Sequence, residues 1–173
     1  MSVAAPGPPF EISGYRILRK LGEGGMATVY LAQQIASARE VAIKVLAAER
    51  TPNEEWVKRF EQEARLIAGL DHPHIVNIYE VGRTASGRLY YSMPHLPNGD
   101  LSTRRWTDEQ PRIVATMRAI CQALAYAHER GVVHRDVKPE NVLFDKLDRP
   151  LLADFGIAFA SRPRDMRVTR ENT

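Results

Sequence analysis

Between His134 and Gly156 the chain reads HRDVKPENVLFDKLDRPLLADFG. Asp136, Lys138 and Asn141 stand close together in it, and Asp154 follows Asp136 by eighteen residues (154 − 136). Val142-Leu143-Phe144 and Leu151-Leu152-Ala153 read as two short strands, with Asp145 to Pro150 as the turn. A hairpin brings its ends together, so Asn141 and Asp154 are expected side by side. Two oxygen donors at adjacent strand ends suit a hard cation such as Mg²⁺. Asp136, one short loop away, is placed to take a proton from a substrate hydroxyl.

Other segments must hold these groups. Tyr15 to Leu21, Thr28 to Ala32 and Arg39 to Leu46 read as strands, with Gly22-Glu23-Gly24-Gly25 turning between the first two. Thr51-Pro52-Asn53-Glu54 carries the capping residue, proline and glutamate of a helix start, and that helix runs to about Leu70. Ile75 to Val81 and Arg88 to Met93 read as two further strands. Pro94 to Gly99 is a linker, and Thr107-Asp108-Glu109-Gln110 opens a long helix that ends before Gly131. Its apolar stripe is read as Ile113, Met117, Ile120, Leu124 and Ala127.

The chain has 173 residues, 44% apolar, enough for one domain with a core. Net charge is +3, from 24 basic and 21 acidic residues, too mild to argue for nucleic acid. The single cysteine, Cys121, excludes an intramolecular disulfide and by residue type is expected buried. No apolar run spans a membrane and Met1 to Phe10 lacks a signal-peptide pattern, so a cytoplasmic protein is expected.

On the third strand, period two puts Ala42 and Lys44 on one face and Val41, Ile43 and Val45 on the other. Taken alone, Lys44 also fits a solvated strand edge, and the glycine run also fits a plain hairpin turn. Glu63 shares a helical stripe with Phe60, Ala64 and Ile67. An acid on an apolar face needs a partner or must lean to solvent. His72 and His74 are read as structural, because no third ligand lies at zinc spacing.

HRDVKPEN followed by DFG resembles the catalytic core of a protein kinase, as do GEGGMATV, VAIK and the stretch YYSMPHLPNGDL. The resemblance implies an α+β fold: an antiparallel five-stranded N-lobe with one helix, and the front part of a mainly helical C-lobe. It places a disordered tail at 1–13, the N-lobe at 14–93, a hinge at 94–99 and a partial C-lobe at 100–173. It implies ATP held by Leu21, Gly22, Glu23, Gly24, Gly25, Val29, Ala42, Lys44, Met93, Pro94, Leu96, Asp100 and Leu143. The family's third loop glycine is Ala27 here, which implies a weaker grip on phosphate.

Further roles follow from the same resemblance. Lys44 pairs with Glu63, Asp136 meets the substrate hydroxyl, and Lys138 meets the transferred phosphoryl. Asn141 and Asp154 bind Mg²⁺, with Mn²⁺ as a substitute. His134 and Phe155 pack, and Arg135 awaits a phosphorylated activation segment, for which Thr169 and Thr173 are acceptors. The subgroup it resembles is the eukaryotic-like bacterial serine/threonine kinases, acting on protein Ser/Thr hydroxyls.

The resemblance covers residues 14–168, without the family's APE-type motif or the helices that follow it. A truncated product or fragment is therefore expected, with weak or no intrinsic activity. The alternatives are a nucleotide-binding remnant and an interaction module. Val114, Met117, Cys121 and Leu124 on helix 110–130 would then form an exposed patch for self-association.

Overall fold

A computed structural model describes residues 10–25, 27–47, 54–106 and 109–155, without the side chains of 55, 56 and 59. Outside the described residues lie 1–9 of the expected tail, the helix caps expected at Thr51 and Thr107, and the activation segment with Thr169 and Thr173.

Five antiparallel strands form one sheet in the order β1-β2-β3-β5-β4. They are β1 (Tyr15–Glu23), β2 (Ala27–Gln34), β3 (Arg39–Leu46), β4 (Glu80–Arg83) and β5 (Leu89–Pro94). Alternation along β3 sorts its side chains as the period-two pattern requires. Val41, Ile43 and Val45 pack on the outer face with Tyr15 and Tyr90, while Ala42 and Leu46 join the main core.

Helix α1 (Glu54–Ala68) buries Phe60, Ala64 and Ile67 in that main core. Helix α2 (Gln110–Glu129) meets the same core from the other side through Ile120, Ala123 and Ala127. Its C-terminus closes as a Schellman motif: Val132 N–H donates to Ala127 O and Gly131 N–H to His128 O, both at 2.9 Å, with Gly131 at φ 74°. A short antiparallel hairpin, β6 (Val142–Phe144) and β7 (Pro150–Leu152), follows α2 in the chain.

Four expectations need correction. The tail does not reach residue 13, because Phe10 and Ile12 are buried on the outer sheet face, Phe10 edge-on to Tyr30. No strand forms over 75–79. There the backbone joins the hairpin instead: Val76 N–H donates to Leu152 O and Leu152 N–H to His74 O, each at 2.9 Å. The buried face of α2 is Thr116, Ala119, Ile120, Ala123 and Ala127. Its small residues allow close approach, and Met117 and Val114 are 50% and 55% exposed. Cys121 is exposed for the same reason, since it lies off that narrow stripe.

This assignment of faces on α2 makes a stability prediction. Ala123→Leu overpacks the contact and costs about 1–3 kcal/mol. Met117→Ala on the open face changes stability by less than about 0.5 kcal/mol. Urea unfolding midpoints of the two variants check the difference.

Candidate active site

The sheet and the hairpin face each other across a cleft of about 720 Å³. The β1–β2 turn covers it, with Gly24 N–H bonded to Ala27 O at 2.9 Å. A Cβ added at Gly22 or Gly25 would meet nothing within 4 Å. Protein packing therefore does not demand glycine there, and the bare backbone is free to meet a ligand closely.

Lys44 and Tyr91 are cross-strand partners on β3 and β5. Both reach Asp154: Lys44 Nζ donates to Oδ2 at 2.6 Å and Tyr91 Oη to Oδ1 at 2.7 Å. Burial pushes the Tyr91 phenol well above its usual pKa, and the Asp154 charge adds to the shift. Asp154 itself sits at φ 61°, a left-handed conformation uncommon for a non-glycine residue. The backbone beside it is held by two bonds. Ala153 N–H donates to Asn141 O at 2.8 Å, and His134 Nε2 lies 2.8 Å from Ala153 O. Desolvation lowers the His134 pKa, and its ring packs 4.6 Å from that of Phe155.

The hairpin sets Asn141 one rung from Asp154, because Val142 pairs with Leu152. Asn141 Nδ2 donates to Asp136 O at 2.7 Å and to Asp136 Oδ2 at 3.1 Å. Both donor bonds lie on the nitrogen, which leaves Oδ1 available as a ligand. Lys138 Nζ lies 2.8 Å from Asp136 Oδ2. That bond holds the Asp136 carboxyl below its usual pKa and raises the ammonium of Lys138. Preceding them, Arg135 has φ 65°.

Every residue named for ATP, for phosphoryl transfer or for the cation lines this cleft except Glu63. Leu21, Val29, Ala42 and Leu143 give it apolar walls, and Met93, Pro94 and Leu96 form its back edge. Asp100 lies at the rim, where its Oδ1 accepts from Ser102 N at 2.9 Å and Thr103 N at 3.2 Å, capping the 3-10 turn Leu101–Thr103. The expected Lys44–Glu63 pair is absent. Glu63 Oε1 lies 3.5 Å from Arg135 Nη1, and Lys44 gives its ammonium to Asp154. Two carboxylates compete for one lysine, and the one fixed on the hairpin is closer.

Tyr91 lies in the kinase-like stretch YYSMPHLPNGDL, but the resemblance gives it no role. The alternation along β5 puts it on the same face as Met93. Among the described residues no group of three His, Cys, Asp or Glu side chains could hold a metal alone. His72 and His74 are structural: His74 N–H donates to His72 Nδ1 at 3.1 Å, and His74 Nδ1 lies 2.8 Å from Pro150 O.

Comparison with known proteins agrees with this geometry. The family model described as the protein kinase domain matches residues 15–171. The chain belongs to the protein kinase family. Serine/threonine-protein kinase PknJ of Mycobacterium tuberculosis is 44% identical over 154 residues, which is 86% of this chain and 26% of that protein. Serine/threonine-protein kinase PrkC of Bacillus subtilis is 42% identical over 155 residues, 87% of this chain and 24% of that protein. The chain thus spans about a quarter of the length of these curated relatives.

A crystal structure of a cysteine-to-alanine mutant of the M. tuberculosis PknI kinase domain superposes with a TM-score of 0.72 at 35% identity. It covers 91% of this chain and 64% of that one. The kinase fold and the five-stranded sheet with its helix are therefore shared with solved relatives. Among the described residues no helix is long and apolar enough to cross a membrane.

The Lys138 contact on Asp136 carries a titration prediction. In Lys138→Met the Asp136 carboxyl loses the donor that depresses it, so its pKa rises toward the ordinary aspartate range. Carboxyl ¹³C chemical shifts followed against pH check the direction.

Proposed function

We propose that this chain is a serine/threonine protein kinase module that transfers the γ-phosphoryl group of ATP to Ser or Thr hydroxyls of a protein. The observation that carries the reading is the convergence of Asp136, Lys138, Asn141 and Asp154 on one wall of the cleft, opposite Lys44 and the glycine turn.

Ala42 and Leu143 are suited to hold a flat base between apolar surfaces. Among the described residues no backbone bond outside the strands engages the N–H or C=O of Leu96, so both are free for a base edge. Pro94 has no N–H and offers only its carbonyl. Residues 94–99 act as the hinge between an N-lobe at 14–93 and the part of a C-lobe that follows. Asp100 keeps Oδ2 for a ribose hydroxyl, since its capping bonds fall on Oδ1.

Asn141 Oδ1 and the Asp154 carboxylate are hard oxygen donors, too few to cage a cation alone. That suits Mg²⁺, or Mn²⁺ in its place, which completes its shell with phosphate oxygens and water. When bound, the cation supplies charge neutralisation at the phosphate oxygens. Lys44 offers an ammonium to the phosphates, and Lys138 does so for the phosphoryl group in transit. Asp136, held below its usual pKa, is a weak base. Its work is to orient the hydroxyl and accept its proton as the new P–O bond forms and the bond from the γ-phosphorus to the bridging oxygen breaks, releasing ADP. No covalent enzyme intermediate is needed, and positioning with charge stabilisation supplies the rate. The single cysteine and the use of ATP support a cytoplasmic setting.

The open face of α2, with Val114 and Met117 about half exposed, favours self-association through 110–130 as a second property. Light scattering at high protein concentration reads a dimer if so, and a monomer removes that reading.

Incubation with radiolabelled ATP and a basic protein substrate tests the activity. Transfer by the parent, reduced at least ~100-fold in Asp136→Asn, is the expected result. Nucleotide binding without transfer would instead mark a binding remnant. In Lys44→Met, ATP affinity falls about ten-fold or more, as loss of a charged hydrogen bond requires. Arg135→Ala leaves it near the parent value. Calorimetric titration with ATP separates the two.

A further inference from the structure

Asp154 is gripped at both oxygens by donors from one rung of the sheet, since Lys44 and Tyr91 face each other across β3 and β5. The two donors differ in kind. Lys44 carries its ammonium on a flexible four-carbon stem. Tyr91 is a rigid phenol, buried, with its Oη on Asp154 Oδ1 at 2.7 Å. A buried hydroxyl without an acceptor is costly, so the phenol holds its oxygen while the ammonium can leave. The backbone at Asp154 is already fixed through Ala153 by Asn141 and His134. What remains free is the rotation of the carboxylate plane, and Tyr91 is the group that stops it.

We propose that Tyr91 is a positioning residue for the cation-binding carboxylate: it holds Asp154 Oδ1 so that Oδ2 is presented to a nucleotide-bound divalent cation once Lys44 turns to the phosphates. The inference rests on the ATP and Mg²⁺ reading of the cleft. Donors behind a metal-binding carboxylate fix its orientation, and their removal costs about 10–100-fold in metal affinity. A strand is a precise platform for such a donor.

The test is the Mg²⁺-dependent gain in affinity for a non-hydrolysable ATP analogue. Calorimetry compares EDTA with Mg²⁺, and electron paramagnetic resonance follows Mn²⁺ bound to the same complex. Tyr91→Phe is expected to lose about ten-fold of that gain and to bind Mn²⁺ correspondingly weaker, with metal-free affinity unchanged. Tyr90→Phe serves as the control, because it also loses a partly buried phenol bond, 3.1 Å to Glu80, on the opposite sheet face. It is expected to keep the full gain. A full gain in Tyr91→Phe overturns the inference. So does an equal loss in both variants, or a loss of metal-free affinity in Tyr91→Phe, since either marks a general effect on the sheet. Absence of any Mg²⁺-dependent gain in the parent overturns the reading of the cleft, and the inference with it.

Discussion

The carboxylate of Asp154 is where the sheet and the hairpin are tied together. Its backbone belongs to the chain leaving β7, while its two oxygens belong to donors on β3 and β5. A hairpin of two three-residue strands is marginal alone. Here it gains edges from elsewhere. Ile75 bridges Leu152 in parallel, Leu143 bridges Asp100, and Phe144 N–H donates to Gly99 O at 3.0 Å. Phe144 and Leu152 are buried beneath. The position of Asp154 thus depends on the segment that follows α1, on Gly99 and Asp100 at the rim of the cleft, and on the hairpin itself.

That tie explains why Glu63 lies outside the cleft. A half-buried ammonium satisfies its charge with the acceptor that costs least to bring close. Asp154 is already held by the hairpin, whereas Glu63 must be carried inward on α1. Arg135, at φ 65° in the loop before Asp136, lies within 3.5 Å of Glu63 and satisfies it there. Arg135 and Lys44 therefore share two acids between them, and the arrangement described has each cation on one acid.

Features set by short-range spacing were legible in the sequence. The faces of β3 follow from period two, and Asn141 beside Asp154 follows from the hairpin. Pairings decided between elements were not. Ile75 and Val76 have the composition of a strand, yet their segment spends backbone bonds on β7, a choice made by tertiary neighbours. On α2 the large residues Ile113 and Met117 suggested the buried stripe, but close packing selected Ala119, Ala123 and Thr116. Tyr91 escaped notice because a tyrosine on the same strand face as Leu89 and Met93 reads as core. Its polar end acquires meaning only when Asp154 arrives from sixty-three residues away.

Strand β5 carries two polar clusters on opposite faces. Outward, Tyr90 Oη donates to Glu80 Oε1 at 3.1 Å, and Ser92 Oγ lies 3.1 Å from Tyr15 Oη, which itself donates to Glu80 Oε2 at 2.5 Å. Inward, Tyr91 meets Asp154 and Met93 lines the cleft. A one-residue slip of a strand sends every side chain to the other face. Such a slip would put Tyr90 against Asp154 and strand the buried Ser92 in an apolar core. The outer cluster, closed by Phe10 and Ile12, has no chemistry of its own to perform. Its satisfied polar bonds nevertheless fix the register of β5, and through that register they decide which phenol reaches the carboxylate in the cleft.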